Sequence, residues 1–120
     1  MERLVSPRRG EVYLVQFDPT VGSEIRKTRP ALIIQNDTGN EFSPITIVAA
    51  ITSKVSDHRY PTDVLISAGE GGLTQTSTVL LNQIRSIDHS RLLKKLGKVE
   101  AATLRKVDIS IQISLGLRPY

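Results

Sequence analysis

Cysteine is absent from this chain, and so is tryptophan. Without a thiol the fold has no disulfide, no thiolate metal site and no thiol nucleophile. That composition suits a reducing cytosol. Three Tyr and two Phe are the only aromatic residues, a poor supply for an RNA-binding sheet that stacks bases on several rings. The two histidines, His58 and His89, have no second His or carboxylate at ligand spacing, so both read as surface residues and no metal is expected. Gly69, Gly71 and Gly72 share only their composition with a phosphate-cradling loop, since no Gly-Lys-Ser/Thr follows. They read as a flexible turn. No Gly-x-Ser-x-Gly elbow occurs. No apolar run approaches the ~20 residues of a membrane span. Met1 to Arg9 carries charges but no apolar core of a secretory signal. It reads as a short arm, flexible over residues 1–8.

What is present fits one domain over residues 1–120, with no internal repeat or linker. A chain of this length buries roughly two thirds of its unfolded surface in one core. Lys plus Arg is 16 against 12 Asp plus Glu, a net charge of +4, which favours polyanionic or acidic partners. Glu11–Phe17 is rich in β-branched and aromatic residues and reads as a strand. Pro30–Gln35 is apolar on both faces, hence a central strand, and Asn36–Asn40 is turn chemistry. Ile45–Thr52, Thr62–Ile66, Ser77–Leu81 and Gln83–Ile87 are further strands. Asp88 reads as an N-cap for a short run over Arg91, Leu92 and Leu93. Many short strands at close spacing predict a small barrel.

The final segment fits two periods. Val107, Ile109, Ile111, Ile113 and Leu115 alternate as in a strand, whereas Leu104, Val107, Ile111 and Leu115 form a helical stripe. Its length, its good helix formers and Gly116 as a stop favour a helix. Ile109 and Ile113 then project from the other face and hint at a subunit interface.

The segment from Gly22 to Pro30 gathers three cations, one carboxylate and two hydroxyls between two apolar strands. Arg29 stands at its end, held extended by Pro30. An Arg at the root of a basic loop is suited to grip a phosphate with its planar fork of N–H donors. Tyr60 beside Pro61 offers one stacking surface. Asn36, Asn40 and Gln83, at turns or strand ends, have amides suited to base edges, although each taken alone reads first as stabilising a turn (the two Asn) or a sheet edge (Gln83).

Four blocks then stand together in order: Asp18–Glu24, Thr28–Asn36, Val48–Ser53 and Leu81–Asp88. Over about residues 8 to 117 the chain closely resembles the MazF/PemK toxins, the ribonuclease halves of bacterial toxin–antitoxin pairs. The resemblance implies a mainly β fold, an SH3-like small barrel with a short helix and a C-terminal helix, acting as a homodimer. It implies cofactor-free, metal-independent, sequence-specific cleavage of single-stranded mRNA in the cytoplasm, leaving a 2′,3′-cyclic phosphate and a 5′-hydroxyl. It also implies an antitoxin with an acidic segment that fills the RNA groove. Arg29 matches the family's catalytic arginine and Thr52 its catalytic threonine. Ser23, Asn36, Asn40, Tyr60, Ser77 and Gln83 fall on positions where relatives touch RNA. A guanidinium stays protonated at neutral pH, so a proton acceptor is still needed. Glu24 is the nearest carboxylate in sequence; pairing with Arg26 or Lys27 is its alternative role. Two other readings stay open: a toxin on the same barrel that inhibits a protein such as DNA gyrase, and a barrel that only binds nucleic acid.

Overall fold

The computed structural model describes residues 6–17, 27–56 and 59–120. Six strands form one antiparallel sheet in the order β4-β5-β3-β2-β1-β6. They are β1 (Glu11–Phe17), β2 (Lys27–Ile33), β3 (Ile45–Thr52), β4 (Asp63–Ile66), β5 (Ser77–Asp88) and β6 (Leu92–Lys98). A short helix, α1 (Asp37–Phe42), joins β2 to β3, and α2 (Ala101–Ser114) packs across β4 and β5. This is the mainly β, helix-capped architecture expected.

The central position of β2 follows from its composition. Leu32 turns to one core, with Val12, Ala49, Ile51, Val79, Leu81 and Val107. Ala31 and Ile33 turn to a second, with Val15, Val48 and Ile87. A strand apolar on both faces is stable only between two such layers. Helix α2 closes the first core with buried Val107 and half-buried Leu104 and Ile111. Leu115 lies past the helix and is exposed, so the buried stripe runs through Thr103, Val107 and Ser110 instead. Ser110 reaches across the layers, its hydroxyl donating to the Pro61 carbonyl at 2.7 Å. The stop at Gly116 is a complete Schellman motif. Gly116 has φ +77°, its N–H donates to Ile113 O, and the Leu117 N–H donates to Gln112 O. Ile109 is exposed, as expected of the outer face.

Five elements differ from the sequence expectation. Asn36–Asn40 is not a plain turn but the start of α1: the Asn36 side chain caps it by accepting the Gly39 N–H at 2.7 Å. The runs Ser77–Leu81 and Gln83–Ile87 are one strand, bent where Ala49 faces Ile84 but its neighbour Ala50 faces Leu80. One step along β3 there spans four along β5, a bulge that curls the sheet. Leu92 and Leu93, read as part of a short capped run, instead open the edge strand β6, paired to β1. Asp88 does act as a cap, its carboxylate accepting the Ser90 N–H at 2.9 Å, but for one 3-10 turn over His89–Arg91. Lastly, the glycine-rich stretch is not loose. Glu70–Gly72 forms a 3-10 turn pressed on β6, where a Cβ at Gly72 would lie 1.9 Å from the Leu96 carbonyl oxygen. Only glycine fits there.

The N-terminal arm is tied down from Pro7 onward. Pro7 is buried and the Arg8 N–H donates to Glu11 Oε1 at 2.7 Å. Arg9 bridges three elements: its N–H donates to Asp37 Oδ1, its Nε to Ile34 O, and its guanidinium pairs with Asp108 of α2.

Candidate active site

The site begins with strand register. β2 and β3 pair with Ile33 opposite Val48, Leu32 opposite Ala49 and Ala31 opposite Ala50. Pro30 has no N–H to offer, so the ladder ends there. Carried on in the same register, Arg29 stands across from Thr52. Residues opposite one another project on the same side of a sheet. The two side chains therefore share a face at the end of β2 and β3, and both line one cleft of about 310 Å³.

Thr52 is prepared by its neighbours. The Lys54 N–H donates to its Oγ1 at 3.1 Å, a local turn that closes the end of β3. One lone pair is thereby used while the hydroxyl proton stays available to donate. Thr78 Oγ1 contacts the Lys54 carbonyl at 3.5 Å and ties this bend to β5. Arg29 is half-buried, backed by the β1 strand through its pairing with Val15. The far wall comes from Leu73, Thr74, Gln75 and Ser77, just ahead of and at the start of β5. Among the described residues the lining holds one guanidinium, several hydroxyls and one amide, and no carboxylate. Such a set attracts an anion and offers neutral donors around it. Among the described residues no group of three or more His, Asp or Glu is placed to hold a metal ion.

The structure thus brings together three of the residues picked out by sequence: Arg29, Thr52 and Ser77. Ser23 and Glu24 lie outside the described residues, as does His58. Asn36 and Asn40 lie at the opposite end of β2, and both build α1. Asn40 has 0% exposure; its side-chain oxygen accepts from Gln35 Nε2 at 2.9 Å and Thr46 Oγ1 at 2.7 Å. Its amide donates to the Gln35 carbonyl at 3.0 Å and contacts Asp37 Oδ1 at 3.5 Å. Gln83 is exposed within the β5 bulge. Tyr60 is half-exposed in the turn before β4, where its carbonyl accepts the Asp63 N–H. β4 pairs Asp63 with Leu80 and Ile66 with Ser77, so Tyr60 and the cleft wall stand at opposite ends of that strand. Ser53, Thr74 and Gln75 line the cleft without having been singled out. The one local signal for them is the unbroken polar run Thr74–Thr78 ahead of an apolar strand.

A family model for the PemK-like, MazF-like toxin of type II toxin–antitoxin systems matches residues 8–115. The chain belongs to this family. It is 47% identical over 110 residues to "Endoribonuclease EndoA" of Bacillus subtilis (strain 168), covering 92% of this chain and 95% of that protein. It is 46% identical to "Endoribonuclease MazF" of Staphylococcus saprophyticus, covering 92% of each. Among solved structures it resembles an endoribonuclease in complex with its cognate antitoxin from a mycobacterial species. There the TM-score is 0.77 at 26% identity, covering 94% of this chain and 98% of that one. These PemK/MazF-type relatives match along nearly their whole length, so the likeness includes the strand ends that carry Arg29 and Thr52. Among the described residues no helix is long and apolar enough to cross a membrane.

Proposed function

We propose that this chain is the toxin of a type II toxin–antitoxin pair and a sequence-specific endoribonuclease of single-stranded mRNA, acting in the cytoplasm as a homodimer. The observation that carries the reading is the shared cleft of Arg29 and Thr52 in a chain nearly half identical to named endoribonucleases. A toxin that inhibits a protein such as gyrase has no comparable support.

The ribose 2′-oxygen attacks the adjacent phosphorus while its proton passes to a base. The P–O5′ bond breaks and the departing 5′-oxygen takes up a proton. The products are a 2′,3′-cyclic phosphate and a 5′-hydroxyl, with no metal required. Negative charge builds on the non-bridging oxygens. Arg29 meets it with a forked cation and Thr52 with its hydroxyl proton. Loss of one such preorganised donor costs ~3 kcal/mol, or 10²–10³ in rate. Arg29 serves as electrostatic partner, its guanidinium being a donor with no acceptor site; Glu24 is the proton acceptor proposed. Ser23, Asn36, Tyr60 and Gln83 complete the RNA track, with Asn40 shaping its α1 end from within and Ser77, whose hydroxyl donates to the Gln75 carbonyl, backing the cleft wall. A DNA strand lacks the 2′-hydroxyl and is bound without being cut. The antitoxin supplies an acidic segment matched to the +4 chain.

Mixed RNA incubated with the purified protein in EDTA, followed by mapping of 5′ ends, tests the reading. Discrete cuts bearing 5′-hydroxyls are expected, and Arg29→Ala lowers the rate at least 10²-fold with the fold intact. An alanine variant that cuts at the wild-type rate removes Arg29 from the mechanism.

A further inference from the structure

The cleft has a second wall whose role the cleavage chemistry does not absorb. It is anchored before and after by constraints unrelated to Arg29 or Thr52. Ahead of it, Gly71 and Gly72 have φ +67° and +75° and press on β6. A Cβ at Gly97 would in turn lie 2.5 Å from the Gly71 carbonyl carbon. Glu70 fastens the same turn to the start of α2, its Oε2 accepting the Glu100 N–H at 3.0 Å. Leu73 is buried, and its carbonyl accepts the Gly69 N–H at 2.7 Å. After the wall, buried Ser77 enters β5 opposite Ile66.

Between these anchors Thr74, Gln75 and Thr76 are exposed. The Ser77 hydroxyl does not point an unused donor at the cleft. It donates to the Gln75 carbonyl at 2.8 Å, and so pins the backbone that carries the Gln75 side chain. Gln75 is the only amide among the described residues that line the cleft. An amide presents a donor and an acceptor side by side and pairs with two adjacent groups on a base edge, which a lone hydroxyl does not. A cleft of 310 Å³ is at the small end of ligand pockets and has room for about one nucleotide. We infer that Gln75 is a specificity-determining residue that reads the edge of one base beside the scissile phosphate, and that Ser77 is a positioning residue acting through the Gln75 peptide. This rests on the RNA-cleaving reading above.

The test is the base preference of the cuts in a random-sequence RNA pool, mapped for wild type, Gln75→Ala, Gln75→Glu and Ser77→Ala, with melting temperatures measured alongside. Gln75→Ala is expected to relax discrimination at a single position by about tenfold while flanking preferences persist. Gln75→Glu, which replaces a donor by an acceptor, shifts the favoured base at that position. Ser77→Ala broadens the same position and no other, a pattern that general loosening of the strand would not produce. An unchanged preference in Gln75→Ala, with wild type cutting normally, overturns this inference alone. Relaxation by Ser77→Ala at a different position, or at all positions equally, overturns its positioning role. Absence of any cleavage by wild type overturns the endoribonuclease reading and this inference with it.

Discussion

Replacing Asn40 by Ala separates a structural amide from an RNA-binding one. The wild-type side chain is fully buried and serves Gln35 and Thr46 at hydrogen-bond distance, with Asp37 at the edge of reach. After truncation Gln35 Nε2 still has the Ile45 carbonyl, at 2.9 Å. Asp37 Oδ1 still has the Arg9 N–H, at 2.6 Å. Two groups lose their hydrogen-bond partner: the Thr46 hydroxyl, at 0% exposure, and the Gln35 carbonyl. A buried polar group left without its partner costs ~1–3 kcal/mol. The full penalty applies to Thr46 and a smaller one to the half-buried Gln35, so the loss is about 3 kcal/mol. With an unfolding entropy of ~2.1 cal/mol/K per residue, that lowers the melting temperature by about 12 °C.

Urea denaturation of Asn40→Ala, Thr46→Val and the double variant measures this directly. Thr46→Val removes the orphaned hydroxyl itself, so the double variant is expected to cost at least ~1 kcal/mol less than the sum of the singles. Additive losses would refute the hub reading. So would an Asn40→Ala variant with unchanged stability and impaired RNA binding, since that outcome puts the amide on the substrate.

Two other outcomes follow from the same packing. Gly72→Ala adds a Cβ 1.9 Å from the Leu96 carbonyl oxygen at a backbone φ of +75°; the left-handed conformation and the forced displacement together cost about 3 kcal/mol. A melting temperature lower by about 12 °C is expected, and an unchanged one would mean that the turn does not press on β6. Stability should also fall as the solution becomes strongly alkaline. Burial, helped by the Glu11 carboxylate, raises the Tyr13 phenol above its ordinary 10.0. The hydrogen bond that the Lys95 ammonium donates to Glu11 Oε2, at 2.6 Å, raises Lys95 above its ordinary 10.5. In both cases the folded state holds its proton longer than the unfolded chain, so stability declines as pH rises past those ordinary values. Denaturation midpoints between pH 9 and 12 check this; a flat profile, or one that Tyr13→Phe and Lys95→Met together leave just as steep, would count against it.

Much of the frame was decided locally. β1 and β3 follow from their β-branched runs, and β2 is central because both its faces are apolar. α2 forms because good helix formers lead to a glycine able to adopt φ > 0. The order of four short motifs was enough to point to the toxin family, and Pro30 already marked Arg29 as extended. These features depend on neighbours within a few residues, which a sequence displays directly. Other features depend on pairings between distant segments. Leu92–Lys98 has no clean alternation and becomes a strand only because β1 offers it a free edge. Gly72 and Gly97 are 25 positions apart in sequence, yet each keeps space for the backbone of the other's segment. Asn40 reads as an exposed turn residue until β3 returns Thr46 to its side chain. Gln75 and Ser77 reach the cleft of Arg29 only because β5 pairs with β3, which no local propensity encodes. The sequence by itself determined which stretches extend, which coils and what chemistry they carry. Only the tertiary structure decided which polar groups face a shared cleft and which are consumed in holding it, because hydrogen bonds and close backbone approaches are settled by packing across the chain.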